Sequence, residues 1–323
     1  MRALLTAIAI LITLATQVGA ECRKLCDKDW WKTATTSDLK GELNTGANVM
    51  ARNELGSTPL HWGAKYGQIA TFRSLFELVI DINTRNIDGE TPLHWAAMAV
   101  TSDNLKTIIS GGPSITPKTK LGDTPLHFAA NHGKVEHLEL LLNNGADLMQ
   151  TNIVGETALH RAAWSVKGDK VAFLIQAGAN SMARNKDGDT PLHQVRTAAV
   201  ARIILDSGAE INARNRVGVT PLHWAVRNAR APAVKTLIDA GADVMAKDKF
   251  GDTPLHYLVN RGGMFPRLHS QENTESIMQI LLLAGADANT RNAQGQTPWD
   301  RAQKNEFFKT SKAYWMLNDA RFK

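Results

Sequence analysis

The chain is nearly free of cysteine, with two in 323 residues. Two thiolates make only half a zinc site, and no histidine lies near Cys22 or Cys26 in the sequence. Long runs of like charge are also missing. A formal charge of +6 and a pI of about 9.3 therefore give a mild bias towards acidic partners and no electrostatic footprint for nucleic acid. After Ala20 no segment is long and apolar enough to cross a bilayer. No glycine-rich phosphate loop and no nucleophile elbow occurs. The acids in turn-rich segments, such as Asp123, Asp187, Asp189 and Asp252, stand singly and read as solvated loop carboxylates, not as acid/base pairs. These absences argue against an enzyme and against a bound metal or cofactor.

What the chain does have is one phrase, repeated. Thr-Pro-Leu-His begins at Thr58, Thr91, Thr124, Thr190, Thr220 and Thr253, with Thr157-Ala158-Leu159-His160 as a near copy and Thr297-Pro298-Trp299-Asp300 as the last. The first five threonines are each 33 residues apart. A fixed period of this size means stacked small units, so chain length does not translate into a count of closed domains. With Thr-Pro-Leu-His opening a helix and Gly-Ala-Asp or Gly-Ala-Asn closing each unit, the pattern resembles the ankyrin repeat over roughly residues 36–323. The resemblance implies an all-α solenoid of helix-turn-helix and hairpin-loop units stacked in a curved array. Seven units are expected over 53–291, between a worn N-terminal capping unit, 21–52, and a C-terminal capping unit, 292–323.

In the unit 119–151, Thr124 is placed to cap the first helix, its hydroxyl accepting from a helix-start amide, with Pro125 at the first helical position. Leu126, Ala129 and Ala130 face neighbouring units, and Leu138, Leu141 and Leu142 mark the second helix. His127 occupies the capping-box position, so its imidazole is expected to bond back to Thr124 and across to the next loop. The same reading makes His61, His94, His160, His193, His223 and His256 structural, with Asp300 the carboxylate version. His132, His137 and His269 form no metal motif with the cysteines.

Departures from the pattern carry their own expectations. Val79 stands where other units have a glycine, so that turn should be remodelled. Unit 185–214 is three residues short and its first helix, around Gln194-Val195-Arg196, should be clipped. Unit 248–291 carries eleven extra residues near 261–271, including Met264, Phe265 and His269, as either a neutral loop or a second contact site. Trp30 and Trp31 read as a lid on the N-terminal end of the core. Phe307, Phe308, Tyr314 and Trp315 read as the inward side of the C-terminal cap.

Residues 1–20 have Arg2 as a short positive start, an apolar run from Ala3 to Ala15, and small residues at Val18-Gly19-Ala20. This reads as a signal peptide cleaved before Glu21, the alternative being an uncleaved anchor. Short and early, it fits a bacterial periplasm better than a eukaryotic secretory route. In an oxidising compartment Cys22 and Cys26 are expected to form a local disulfide, with free thiols or a metal or redox pair as alternatives.

For binding, the resemblance implies a scaffold whose partner lies along the concave side. The residue after each motif histidine would face it: Trp62, Trp95, Phe128, Arg161, Gln194, Trp224 and Tyr257. These rungs would sit on the order of 10 Å apart, one helix diameter. The alternative is that the rings pack on neighbouring loops. Loop tips add Leu55, Ile87, Leu121, Val154, Val217 and Phe250, apolar and flanked by charge. The expectation is a monomeric, periplasmic or secreted protein that binds another protein and does no chemistry. An envelope enzyme or a metal or redox factor using Cys22, Cys26 and His269, and a structural spacer with no dedicated partner, are the competing readings.

Overall fold

The structure, a computed structural model, describes residues 22–260 and 271–322. The expected signal peptide and most of the insertion, with Met264, Phe265 and His269, lie outside the described residues. Among those described, every regular element is a helix and there are no strands. They fall into two compact units, Met1–Ile153 and Val154–Lys323.

Each unit is a series of helix pairs. In the first, the motif opens helices Pro59–Tyr66, Pro92–Ala96 and Pro125–His132, each followed by a second helix, Ile69–Phe76, Asp103–Ser110 and Val135–Asn143. Proline at the first helical position gives up no hydrogen bond, because that amide has no partner within the helix anyway. The second unit has Ala158–Ala163 with Asp169–Gln176, Pro221–Arg227 with Ala231–Asp239, and Pro254–Val259 with Gln271–Leu283. At Thr190 the motif opens only a 3-10 turn, Pro191–Gln194, before Ala198–Asp206, so the clipped helix is present as expected.

The core is periodic. Motif leucines Leu60, Leu93, Leu126, Leu159, Leu192, Leu222 and Leu255 are buried, as are the small pairs Ala96-Ala97, Ala129-Ala130 and Ala162-Ala163. Alanine lets helices of successive pairs approach closely. The second helices add buried residues at helical spacing, such as Leu138 and Leu141, or Val200 and Ile204. Each fully buried leucine contributes about 2 kcal/mol by area. Turns after the second helices pass through the left-handed region at Gly145 and Gly241 (φ 91° and 95°), where a side chain would be strained. Val79 avoids that conformation. Its turn is remodelled into successive tight turns, Leu78 N–H to Leu75 O and Val79 N–H to Phe76 O, which leave Ile80 94% exposed.

At the N-terminal end Trp31 is fully buried, with its Nε1–H bonded to Leu25 O at 2.8 Å. A Cβ at Gly63 would lie 3.2 Å from the Trp31 ring, so that glycine makes room for it. Trp30 is only half-buried, so one of the two expected tryptophans closes the core. At the other end Phe308 is buried and Tyr314 packs on Trp299, centroids 4.6 Å apart. Trp315, expected inward, is 62% exposed. Ala313 and Leu317 are the buried face of helix Lys312–Ala320, and a residue two after Ala313 points to the opposite side. The side chain of Phe307 lies outside the described residues.

Candidate functional site

The motif histidine builds the frame. At the first copy, Nδ1 of His61 accepts from the Thr58 amide at 3.1 Å and lies 3.0 Å from the Thr58 hydroxyl, while Nε2 lies 3.1 Å from Glu90 O in the following loop. His94, His193, His223 and His256 repeat this, reaching Asp123 O, Val219 O, Asp252 O and Gln296 O at 3.0–3.1 Å. An amide can only donate, so Nδ1 carries the lone pair, the threonine hydroxyl donates to it, and the proton sits on Nε2 and is donated to the carbonyl. The hydroxyl also accepts from the backbone N–H of the motif histidine, the helix-start amide expected as its partner, and this closes the capping box. In Thr297-Pro-Trp-Asp300 the carboxylate takes the threonine amide and hydroxyl, and the Asp300 amide donates to the hydroxyl at 3.2 Å.

Burial pushes His61, His94 and His223 down to about 4, and lowers His193 and His256 as well. Protonation would also set an N–H against the threonine amide. These rings are fixed, neutral and enclosed, and unfit as bases or ligands. His137, an unassigned histidine in the sequence reading, makes the same local cap on a second helix, accepting from the Lys134 amide at 3.2 Å and lying 3.3 Å from Thr101 O.

The residue after each histidine is half-buried in all seven units: Trp62, Trp95, Phe128, Arg161, Gln194, Trp224 and Tyr257. Several rings stand edge-on against the preceding unit's histidine, Trp95 on His61, Phe128 on His94 and Tyr257 on His223, at centroid distances of 5.0–5.6 Å. Trp62 and Trp95 touch directly, with centroids 5.0 Å apart, half the expected spacing, because the rings lean towards each other across the helix gap.

Their polar tips end on loop acids. Of the four acids expected in solvent, Asp187 is exposed and the other three are not. Asp123, Asp189 and Asp252 are buried. Each accepts from an asparagine of the next loop, Asn152, Asn215 or Asn292, at 2.8–2.9 Å. Trp95 Nε1–H donates to Glu90 at 2.6 Å, Trp224 to Asp189 at 3.4 Å, and the Tyr257 hydroxyl to Asp248 at 2.9 Å. Glu156 joins Arg161 and Gln194. Burial, then the bond to Asp248, raises the Tyr257 phenol well above its usual value. The signal for this row was available: an acid recurs immediately before the motif threonine. At the first copy that position is Ser57, and the buried Nε1 of Trp62 has no hydrogen-bond partner.

The loop tips are different. Leu55, Ile87, Leu121, Val154, Val217 and Phe250 are 42–62% exposed. They are also rigidly joined. Ile87 N–H donates to Leu55 O and Ile153 N–H to Leu121 O, both at 3.0 Å, and Lys186, Lys249 and Ala293 amides donate to Val154 O, Val217 O and Phe250 O at 2.9 Å. Gly122 makes this close approach possible, since a Cβ there would lie 2.8 Å from the Ile153 amide nitrogen.

Family models described as ankyrin repeats match residues 93–185, 167–248 and 196–292, and another, also of ankyrin repeats, matches 60–99. This chain belongs to the ankyrin-repeat family. The solved ankyrin repeat domain of Bcl-3, described as a unique member of the IkappaB protein family, is 27% identical, with a TM-score of 0.52 over 72% of this chain and 99% of that one. No curated protein matches. In this ankyrin-repeat protein the described residues contain no group of three or more His, Cys, Asp or Glu placed to hold a metal, and no helix long and apolar enough to cross a membrane. Cys22 and Cys26 are joined as a disulfide, with Cys22 buried.

Proposed function

We propose that the protein is an exported, non-catalytic scaffold that binds a protein partner through its loop tips and the residues following the motif histidines. The observation that carries this reading is the exposed apolar tips, Leu55, Ile87 and Leu121 in one compact unit and Val154, Val217 and Phe250 in the other, the loop of each joined to the following loop by a backbone hydrogen bond. Large side chains exposed on a stiff backbone offer apolar area without the entropy cost of ordering a loop. The half-buried ladder adds large side chains on the first helix of each repeat. Ankyrin arrays work as protein-binding scaffolds, and that family membership supports a protein as the partner.

Export rests on the composition of residues 1–20 and on the Cys22–Cys26 disulfide, which needs an oxidising compartment to persist. The test is affinity capture from native envelope with the mature chain and with Leu55→Ser, Leu121→Ser and Phe250→Ser combined. Loss of a reproducible partner with melting unchanged within about 2 °C supports the reading. Retention of the partner by the triple variant overturns it. Cleavage before Glu21 and the absence of free thiols are read by intact mass and a native thiol count.

A further inference from the structure

The clipped pair at Thr190 adjoins an arginine–tryptophan cluster that meets the ladder at Gln194 and Trp224. The second helix there begins at Ala198, eight residues after its motif threonine, whereas in the next pair it begins at Ala231, eleven after Thr220. The Pro191–Gln194 turn stops at Val195, which is extended (ψ 139°), so the carbonyls of Gln194 and Val195 have no continuing helix to bond them. Arg230 takes both through its Nη1, the Gln194 bond at 3.1 Å. Its guanidinium lies 5.1 Å from the Trp164 ring centre, and that of Arg196 lies 6.0 Å from the same ring. Arg227, one turn before Arg230, lies 5.1 Å over Trp224. The indole N–H of Trp164 donates to Gln194 Oε1 at 2.9 Å.

The cluster's charge is unbalanced. None of Arg196, Arg227 and Arg230 pairs with a carboxylate. Two carboxylates adjoin the network, and both are engaged elsewhere: Glu156 with Arg161 and Gln194, and Asp189 with Asn215 and the indole of Trp224. Burial depresses Arg230 to about 10, with the charge of Arg196 a smaller cause. Trp164 is still 46% exposed, Val166 is 66% exposed, and Lys167 adds a further exposed cation. Guanidinium groups parked on aromatic faces are pre-oriented and weakly hydrated, which suits carboxylates reached two at a time.

We infer that this arginine–tryptophan cluster docks an acidic, carboxylate-bearing segment of a protein partner. The inference rests on the scaffold reading and gives it a chemical specificity that the apolar tips lack. An apolar residue within that segment would rest on Trp164 and Val166, a feature that favours a peptide over a nucleic-acid strand.

The probes are fluorescein-labelled deca-glutamate, its deca-glutamine twin and fluorescein-labelled deca-thymidylate, measured by anisotropy against the full mature chain at low salt. Deca-glutamate is expected to bind more tightly than either of the others and to weaken as salt rises. Arg196→Ala with Arg227→Ala should weaken it about tenfold, two exposed charges' worth. Arg196→Lys with Arg227→Lys should recover part of that loss. Arg230 is left intact because it also closes the clipped turn. Unchanged deca-glutamate affinity in the double-alanine variant overturns the inference, and so does failure of the wild-type chain to bind deca-glutamate. Tighter binding of deca-thymidylate, lost in the same variant, would overturn the choice of occupant. The loop-tip triple variant should bind deca-glutamate normally; loss of partner capture in the arginine variant alone, with capture intact in the tip variant, would sink the tip reading while leaving this one standing.

Discussion

The pairs that begin at Thr190 and Thr220 are neighbours built on one phrase, and they differ by three residues. Both keep the frame: each threonine amide bonds its histidine Nδ1, at 3.0 and 3.2 Å, and each histidine Nε2 lies 3.1 Å from the next loop's carbonyl. Only the helix that follows differs, a single 3-10 turn in one and Pro221–Arg227 in the other. Register is therefore set by the histidine bridge and not by helix length. A deletion is absorbed after the frame has closed, and its cost is met by a side chain, Arg230, reaching back from the longer pair.

Acid should test that claim with the largest effect. The bridging histidines have folded pKa values below the unfolded 6.5, at about 4 for His61, His94 and His223. The unfolded chain therefore binds protons first as pH falls. Stability is complete above about 6.5 and is lost progressively towards 4, by on the order of 3 kcal/mol per histidine at the limit. The Thr297–Asp300 cap runs the same way at lower pH: backbone bonding from Thr297 holds Asp300 below 3.8, so its contribution is complete above that value and is lost only as pH falls below it. Urea melts at pH 7 and pH 4.5 should show a large drop in midpoint, and an unchanged midpoint would remove the neutral-histidine frame.

Next in size, His193→Ala and His223→Ala should each cost about 2–4 kcal/mol, by stranding a buried amide and a carbonyl. The two costs should agree, since the bridges match; a much smaller cost at His193 would mean the clipped pair relies on something else. Arg230→Ala should cost about 1–2 kcal/mol by freeing the Gln194 and Val195 carbonyls, with denaturation midpoints as the readout. The smallest effect is a gain. Ala229 sits at φ 49°, ending helix Pro221–Arg227 with Arg230 N–H bonded to Ala225 O. Glycine takes that conformation without strain, so Ala229→Gly should stabilise by up to about 1 kcal/mol.

The frame was legible in the sequence because each of its parts is local. Thr58 caps, Pro59 starts and His61 reaches back, all within four residues, and a period then copies the unit. The clipped helix was legible as a shortened spacing between Thr190 and Thr220. Asp187 is exposed as expected, but Asp123, Asp189 and Asp252 were misread because burial is a property of the stack: Asp189 is enclosed only once Asn215 and Trp224 of the next pair close over it. The cluster on Trp164 was invisible for the same reason, since Trp164, Arg196 and Arg230 come from three different helix pairs. Trp315 was misplaced because aromatic content alone does not say which side of a short helix is buried.

The central claim is that the histidine frame carries stability while the tips beyond it meet the partner. Site-specific photo-crosslinking tests it most directly, with benzoyl-phenylalanine placed singly at Leu55, Leu121 and Phe250, and at Arg202 on a second helix as the control. The account predicts a common protein adduct from the three tips, none from Arg202, and unchanged melting. Adducts from Arg202 alone, or none from any tip in native envelope, would contradict it.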